Sequence, residues 1–517
     1  MLAILMATMC APDYVPTPVP CPTGDLVVGS YYFPGYFSPF RWQRFKQCGY
    51  PMPVLGYYRD GEPEVSDWHI KWAVEHGISF FAFDYYHHWR NGPSVALNTS
   101  LDKGFLRARY RNMMKFTLMW CNEENEAFKY TDEDMLRLVT YMTEHYFKQP
   151  NFLRIGGDNV LIFSRPERML ESFGVEGTAK ILAKMGEVSR KAGCGGLYPI
   201  ALRDVEQEKY KAAGFRACVI YNYADAGMSA EQLKAQRAPY ETMSRGYEEL
   251  WQRAYKGPLP YIVPVSPGWD SRPWYGEATL VRTNPRPGLF YDMCVRARKY
   301  VNPDLKMIIA ECWNELGEGS YIEPTLQYGF GYLDAMRDAF CPDNPHHMDV
   351  TPQGIGRPAP TFRDDEVPSM TAEEMLAAGG NMLYNGDMTG RWGWVLFNGQ
   401  NLVPEAGARD GKPALRVPAG QGVKTEWFMP VPKARRVKVD LWAKVPTGAE
   451  MTVNLALFKG MNWLGRYAPV TKVAATDGQW KRVQVDARVD DPEPDQIDIE
   501  FVAGGGDCQV TDVIMRP

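Results

Sequence analysis

The chain has 517 residues, enough for two or three domains, and a net charge of −5 from 57 basic and 62 acidic side chains. That balance excludes a dedicated nucleic-acid binder, which needs a broad basic surface to displace counterions from phosphates. Aromatic residues make up 13% of the chain, and many stand beside polar ones. This is the mixture that suits an amphipathic ligand such as a sugar ring, although a large aromatic core gives the same composition.

Leu2 to Ala11 is a short apolar run leading into the Pro-rich stretch Pro12–Pro20. It reads as the tail of a secretory signal peptide without the usual basic start, so export to the periplasm, the cell surface or the medium is expected. Cys10 as a lipid-bearing residue is disfavoured by the bulky Met9 before it. No later stretch is long and apolar enough to span a membrane. The ten cysteines form no C-x-x-C pair, and Cys121, Cys218 and Cys312 fall in apolar runs as small buried hydrophobes. The seven histidines are too scattered to mark a metal site; His87 and His88, as strand neighbours, point to opposite faces.

Eight short apolar runs follow: Leu26–Phe33, Ile78–Tyr85, Lys115–Cys121, Val160–Ser164, Gly196–Ala201, Ala217–Tyr223, Tyr261–Val265 and Met307–Trp313. Runs apolar almost throughout are what parallel strands covered on both sides require. Helical periodicity fills the gaps: Met135, Leu138, Val139 and Met142 behind a capping box at Thr131, then Ile181, Leu182, Met185 and Val188 ending at Gly193. Glu231–Ala254 and Leu289–Tyr300 are predicted helices too. Eight strand–helix units predict an α/β fold, a (β/α)8 TIM barrel. A doubly wound sheet is the alternative, without the glycine fingerprint of a dinucleotide fold. Residues 1–24 are read as a leader, 25–348 as the barrel and 349–380 as a proline-bearing linker. Alternating runs over 381–517 predict an antiparallel β-sandwich, a jelly roll.

A barrel carries its site on the loops after the strands. Those ends supply Tyr32, Asp84, Tyr86, Trp120, Asn122, Glu123, Trp269, Asp270, Arg272 and Trp313 as candidate substrate-binding residues. The richest end is Trp313-Asn314-Glu315-Leu316-Gly317-Glu318-Gly319, where glycines let the backbone turn so that Glu315 and Glu318 can both face the mouth. Two neighbouring carboxyls, one neutral and one ionised, are what glycosidic cleavage needs. Acidic residues at a helix N-terminus are the alternative reading.

The segments Tyr31–Tyr36, Asp84-Tyr85-Tyr86, Trp120-Cys121-Asn122-Glu123, Pro267–Asp270 and Trp313–Gly319, with Ile322-Glu323-Pro324 behind them, resemble glycoside hydrolase family 99 and its WbsX-like relatives over roughly residues 26 to 340. The resemblance implies a retaining glycoside hydrolase, often endo-acting on α-mannose-containing glycans. In that likeness Glu315 is the base that deprotonates the sugar 2-hydroxyl and Glu318 is the general acid/base. Leu316 and Gly317 stand where the founding enzymes carry an aromatic residue and a histidine, which brings the motif nearer the WbsX-like branch. No cofactor is expected for catalysis. The partner expected is an oligosaccharide or polysaccharide, handled by a monomer without nucleic acid or membrane span. A non-catalytic glycan binder and a sugar transferase are the competing readings.

The start of the second domain, Asn381–Met388 with Trp392 and Trp394, resembles carbohydrate-binding jelly rolls, as does its end, Thr511–Ile514. The likeness implies a structural calcium with Asp387 and Asp512 as candidate ligands. Trp427, Trp463 and Tyr467 either bind glycan or pack.

Overall fold

Each of the eight apolar runs contributes a strand to one parallel sheet in a computed structural model that describes residues 14–88, 94–122, 128–275, 279–397, 401–426, 429–459 and 462–517. The strands are β1 (Val27–Tyr32), β2 (Phe80–His88), β3 (Lys115–Trp120), β4 (Asp158–Phe163), β5 (Leu197–Ala201), β6 (Ala217–Cys218), β7 (Val263–Val265) and β8 (Met307–Ala310). Neighbours pair in parallel: Gly29 opposite Phe80, Phe81 opposite Phe116, Leu118 opposite Leu161, Val160 opposite Tyr198 and Ile200 opposite Ala217. Ile308 of β8 sits between Val28 of β1 and Val263 of β7. The ring closes at Cys218, whose amide donates to Pro260 O at 3.0 Å and whose carbonyl accepts from Ile262 N at 2.9 Å. These strands form a (β/α)8 barrel. At Gly29 a β-carbon would fall 2.1 Å from the Phe80 ring, so only glycine lets β1 and β2 pair there.

The outer helices include α1 (Pro63–Glu75), α2 (Asp132–Met142), α3 (Pro166–Lys191), α4 (Gln207–Ala212), α5 (Tyr240–Tyr255), α6 (Pro287–Ala297) and α7 (Gly331–Phe340). The capping box of α2 is formed on both sides: Asp134 N donates to Thr131 Oγ1 at 3.2 Å and Thr131 N donates to Asp134 Oδ2 at 2.9 Å. Met135, Leu138, Val139 and Met142 are its buried face, as their spacing predicts. The predicted helix over Glu231–Ala254 is divided instead. A short helix Ala230–Ala235 ends at the left-handed Gln236, and Arg237–Pro239 is extended before α5 begins. Pro239 has no N–H to continue a helix and fixes that break. The sixth and eighth strands are shorter than their apolar runs, stopping at Cys218 and Ala310.

The chain divides into two units. The first runs to Phe37 and takes in Tyr50–Pro273 and Glu277–Phe362, so residues 349–362, read as linker, fold with the barrel. They are held there by Trp72 Nε1 donating to Val350 O at 2.9 Å and by the Arg357–Glu64 ion pair at 3.0 Å. The Pro-rich leader also joins this unit over its described part: Val19 N donates to Glu75 Oε1, and Cys21 N to Val74 O. The second unit comprises Ser38–Gly49, Trp274–Gly276 and Arg363–Pro517. It is an antiparallel sandwich. One sheet orders Trp394–Leu396, Gly422–Thr425, Gln496–Gly504, Glu450–Lys459 and Asn462–Val473; the other orders Glu405–Gly407, Gly411–Val417, Cys508–Arg516, Arg436–Lys444 and Lys481–Arg488. Alternate residues such as Val437, Val439, Leu441 and Ala443 face its core. Cys21, Cys121, Cys194, Cys218, Cys294, Cys312, Cys341 and Cys508 are all buried. No helix among the described residues is long and apolar enough to cross a membrane.

Candidate active site

The last barrel strand delivers a carboxyl group directly into the interior. Glu311, one residue beyond β8, has no solvent exposure, and its amide donates to Val265 O at 2.8 Å. Its Oε1 accepts from Asn222 Nδ2 at 3.0 Å. The hydroxyls of Ser266 and Ser320 lie beside its carboxyl and partly offset its burial. Burial first, and then the negative charge of Glu318, push the Glu311 carboxyl up to about 8.

Beyond it the chain folds back as a tight hairpin. Asn314 pairs with Tyr321 and Glu315 with Ser320, and the turn between them is a 3-10 turn over Leu316–Glu318. Gly319 closes that turn at φ +62°, while Gly317 stays out of the left-handed region, so the turn rests on one glycine. A β-carbon on Gly319 would lie 2.6 Å from Asp270 N, so the loop after β7 packs directly on this residue. Asp270 N donates to Glu318 O at 2.5 Å.

Tyr221 is held in its protonated form by burial, then by the negative charge of Asp84 and by Cys312, Glu315 and Glu318. Its ring lies 4.8 Å from that of Tyr31, whose hydroxyl donates to Ile220 O at 3.3 Å. Burial, followed by Asp84 and Glu311, likewise keeps Tyr31 protonated. Asp84, Glu311, Glu315 and Glu318 thus lie near two phenols, Tyr31 and Tyr221, that burial and these negative charges keep protonated. Glu315 is buried and Glu318 is partly exposed. Such a group can hold a proton on one carboxyl beside an ionised neighbour.

Along β2, Asp84 and Tyr86 share a face while Tyr85 and His87 take the other, where the Tyr85 ring packs 5.6 Å from Tyr146. Tyr86 is partly exposed, as is Trp269, whose carbonyl accepts from Arg282 N at 2.7 Å. Arg272 grips Asp270 through two bonds of 2.8 and 2.6 Å, so its charge is engaged within the loop.

Four expected substrate contacts lie elsewhere. Tyr32 alternates with Tyr31 on β1 and points outward; its hydroxyl meets His69 Nδ1 at 3.0 Å. His69 Nε2 in turn meets Glu323 Oε1 at 3.0 Å, Tyr58 donates to Glu323 Oε2, and Asn314 Nδ2 donates to the Tyr58 hydroxyl. This chain anchors the hairpin from behind. Trp120, with no exposure, packs between Tyr130 and Phe163. Trp313, equally buried, packs on His69 and Phe81. Neither ring has a face open to a sugar. Asn122 spends both ends of its amide on the Arg165 backbone, at 2.8 and 2.7 Å. Glu123 lies outside the described residues. Sequence reading passed over Glu311, although a lone carboxylate closing the apolar run Met307–Ala310 is the signal that marks it.

In the second unit, Asp387 and Asp512 line one cavity of about 450 Å³ with Lys412, Trp442, Arg482 and Arg516. Asp512 is paired with Arg409 at 2.7 Å and Lys412 at 3.1 Å, and Asp387 accepts from Thr389. A calcium ion wants six to eight oxygens, and a basic lining with one carboxylate already neutralised does not suit it. Trp463 and Tyr467 are exposed with ring centres 5.9 Å apart, whereas Trp427 lies outside the described residues.

A family model described as Glycosyltransferase WbsX matches residues 39–336. The uncharacterized protein WxcX of Xanthomonas campestris pv. campestris is 23% identical over 308 residues, which is 55% of this chain and 42% of that protein. The chain therefore spans less than half the length of the curated relatives it matches. Among solved structures, the GH99 endo-alpha-mannosidase from Bacteroides thetaiotaomicron is similar over 61% of this chain and 96% of its own, at 19% identity and a TM-score of 0.44. A chain described as a glycoside hydrolase-like protein is similar over 63% and 98%, at 18% identity and 0.44. TmCBM61, solved with beta-1,4-galactotriose, matches 26% of this chain and 97% of its own, at 17% identity and 0.20.

Proposed function

The chain belongs to the WbsX glycosyltransferase family, and we propose that its acidic barrel mouth breaks glycosidic bonds, as a retaining glycoside hydrolase cutting inside an α-linked, mannose-like glycan. The observation that carries this reading is the hairpin after β8, which pairs Glu315 with Ser320 and turns through Leu316–Glu318, so that both carboxyls stand on one tight turn against the loop after β7. In the proposed reaction ionised Glu315 takes the proton of the sugar 2-hydroxyl, and O2 attacks its own anomeric carbon. The bond to the leaving oxygen breaks as Glu318 gives that oxygen its proton. Water then opens the 1,2-anhydro sugar: Glu318 takes a proton from it, and Glu315 returns its proton to O2. The carboxylates end as they began, and the anomeric configuration is retained. Asp84 and Asp270 supply acceptors for sugar hydroxyls, and Tyr86 and Trp269 supply rings to stack on.

The test is to incubate the protein with a panel of α-mannans, other glycans and acidic polysaccharides and to identify released fragments by mass. On a substrate that is cut, Glu315→Gln and Glu318→Gln are each expected to lower kcat by at least about 100-fold with the fold intact. Wild-type turnover in both variants would remove the assignment. The family's description favours one second reading, transfer of a sugar from an activated donor. Saturable binding of a nucleotide sugar, with product lengthening instead of shortening, would select it. We further read the apolar start of the chain as an export signal, so that the glycan is met outside the cytoplasm.

A further inference from the structure

Away from the barrel mouth, one group of side chains among the described residues brings metal-ligating atoms together. His76, His347 and Asp349 each offer one such atom, all within 4.8 Å of one another. His76 closes α1 and is fully buried. Its Nδ1 lies 2.6 Å from the Trp72 carbonyl, which can only accept, so Nδ1 carries a proton and Nε2 is the nitrogen left to face the nearby carboxylates. A histidine that ligates through one nitrogen typically donates the other to such a carbonyl. Nε2 is buried, and only carboxylate oxygens of Asp334 and Asp349 at ion-pair distance face it.

Carboxylate oxygens crowd around it at short range. His76 Nε2 is 3.4 Å from Asp349 Oδ1 and 3.5 Å from Asp334 Oδ1, and His347 Nε2 is 3.2 Å from the same Asp349 oxygen. Glu75 Oε2, also buried without a hydrogen bond, lies 3.9 Å from His347 Nε2, while its Oε1 is taken by Lys71 and Val19. Ligand atoms at about 2.0–2.1 Å from a tetrahedral ion stand about 3.3 Å apart, close to these edges. Two imidazoles with carboxylates form a donor set for zinc and similar divalent ions. Of the nearby cations, Lys71 is held on Glu75 Oε1, and Arg337 gives its donors to Asn344, to the Glu75 carbonyl and to the Pro345 carbonyl. Those bonds fix the segment that brings His347 into place.

We propose that His76, His347 and Asp349, with Glu75 or Asp334 in the fourth position, bind one divalent zinc-class ion that staples the segment after α7 to the end of α1. His76 precedes β2, whereas Asp84 follows along the same strand, so the ion sits at the opposite end of the barrel from the acidic mouth. Its role is structural.

The full chain, stripped with EDTA and dialysed, is titrated with Zn²⁺ by calorimetry and with Co²⁺ by visible spectroscopy. The expected result is one equivalent bound, a tetrahedral cobalt spectrum and a melting temperature that rises with added zinc. His347→Ala, at a partly exposed position, and Asp349→Asn, at an exposed one, are expected to weaken binding by at least about 100-fold and to abolish the zinc-dependent rise. Absence of saturable binding to the wild-type chain overturns the proposal. So does wild-type affinity in both variants, which would place the ion at another site. If a variant fails to fold, the wild-type cobalt spectrum decides: tetrahedral supports the site, octahedral overturns it.

Discussion

Glu311 is a carboxyl group with no exposure in a place that also holds Glu318. Raised to about 8, it keeps its proton in the native state across a pH range in which the unfolded chain has lost it. Between pH 4.5 and 8 the native state therefore binds more protons, and stability falls as pH rises through that window and levels off above it, by about 1.4 kcal/mol per unit at most. Glu426 and Asp498 in the sandwich, each raised by burial to about 7, add slopes of the same sign. Glu311→Gln keeps the acceptor for Asn222 and removes only the titration. Urea midpoints at pH 5 and pH 8.5 are expected to diverge less in the variant than in the wild type; identical divergence would show that Glu311 does not carry the charge change. At this scale the sequence was legible in part. The spacing of Glu315 and Glu318 around a glycine-bearing turn is local and can be read from the string. Which of Tyr31 and Tyr32 faces the mouth, or whether Trp120 and Trp313 are covered, depends on what packs against β1, β3 and the hairpin from remote parts of the chain.

The elements themselves were more legible, because parallel strands covered on both faces must be apolar along their whole length and Thr131 announces its helix by a local hydrogen bond. The ends of strands were less so. Ala217–Tyr223 and Met307–Trp313 each run past their regular ladders, because single backbone bonds such as Val219 N to Ala201 O and Glu311 N to Val265 O continue the contact beyond Cys218 and Ala310. The hairpin after β8 depends on Gly319 twice, for its left-handed backbone and for the approach of Asp270. Gly319→Ala adds a β-carbon where no space exists, at a φ that alanine disfavours, and is expected to cost about 1–3 kcal/mol. Chemical denaturation measures the loss, and the variant should also lose glycan cleavage by displacing Glu318. Unchanged stability would mean that the loop after β7 yields easily.

At the scale of the whole molecule, sequence order and structural units do not coincide. The segment Ser38–Gly49 follows β1 in the chain yet belongs to the sandwich unit, which no periodicity announces. Ser38 starts a short 3-10 turn by accepting the Phe40 amide at 3.2 Å, and the turn presents Phe40 to the sandwich core. There Phe40 is 7% exposed, with its ring edge-on to Tyr384 at 5.0 Å, among residues such as Trp394, Leu396 and Val423. The metal-ligand group repeats the pattern, with His76 and His347 far apart in sequence but adjacent in space, which is why the histidines looked scattered. Removing the buried ring by Phe40→Ala forfeits its transfer energy and leaves a cavity, a cost of about 3 kcal/mol. Because native-state exchange reads each cooperative unit separately, amides of 394–396 and 496–504 are expected to exchange about 100-fold faster in the variant, while those of β1 to β5 keep their protection. A uniform acceleration in both units would mean that they open together, and no change in either would mean that the turn carrying Phe40 is dispensable to the sandwich.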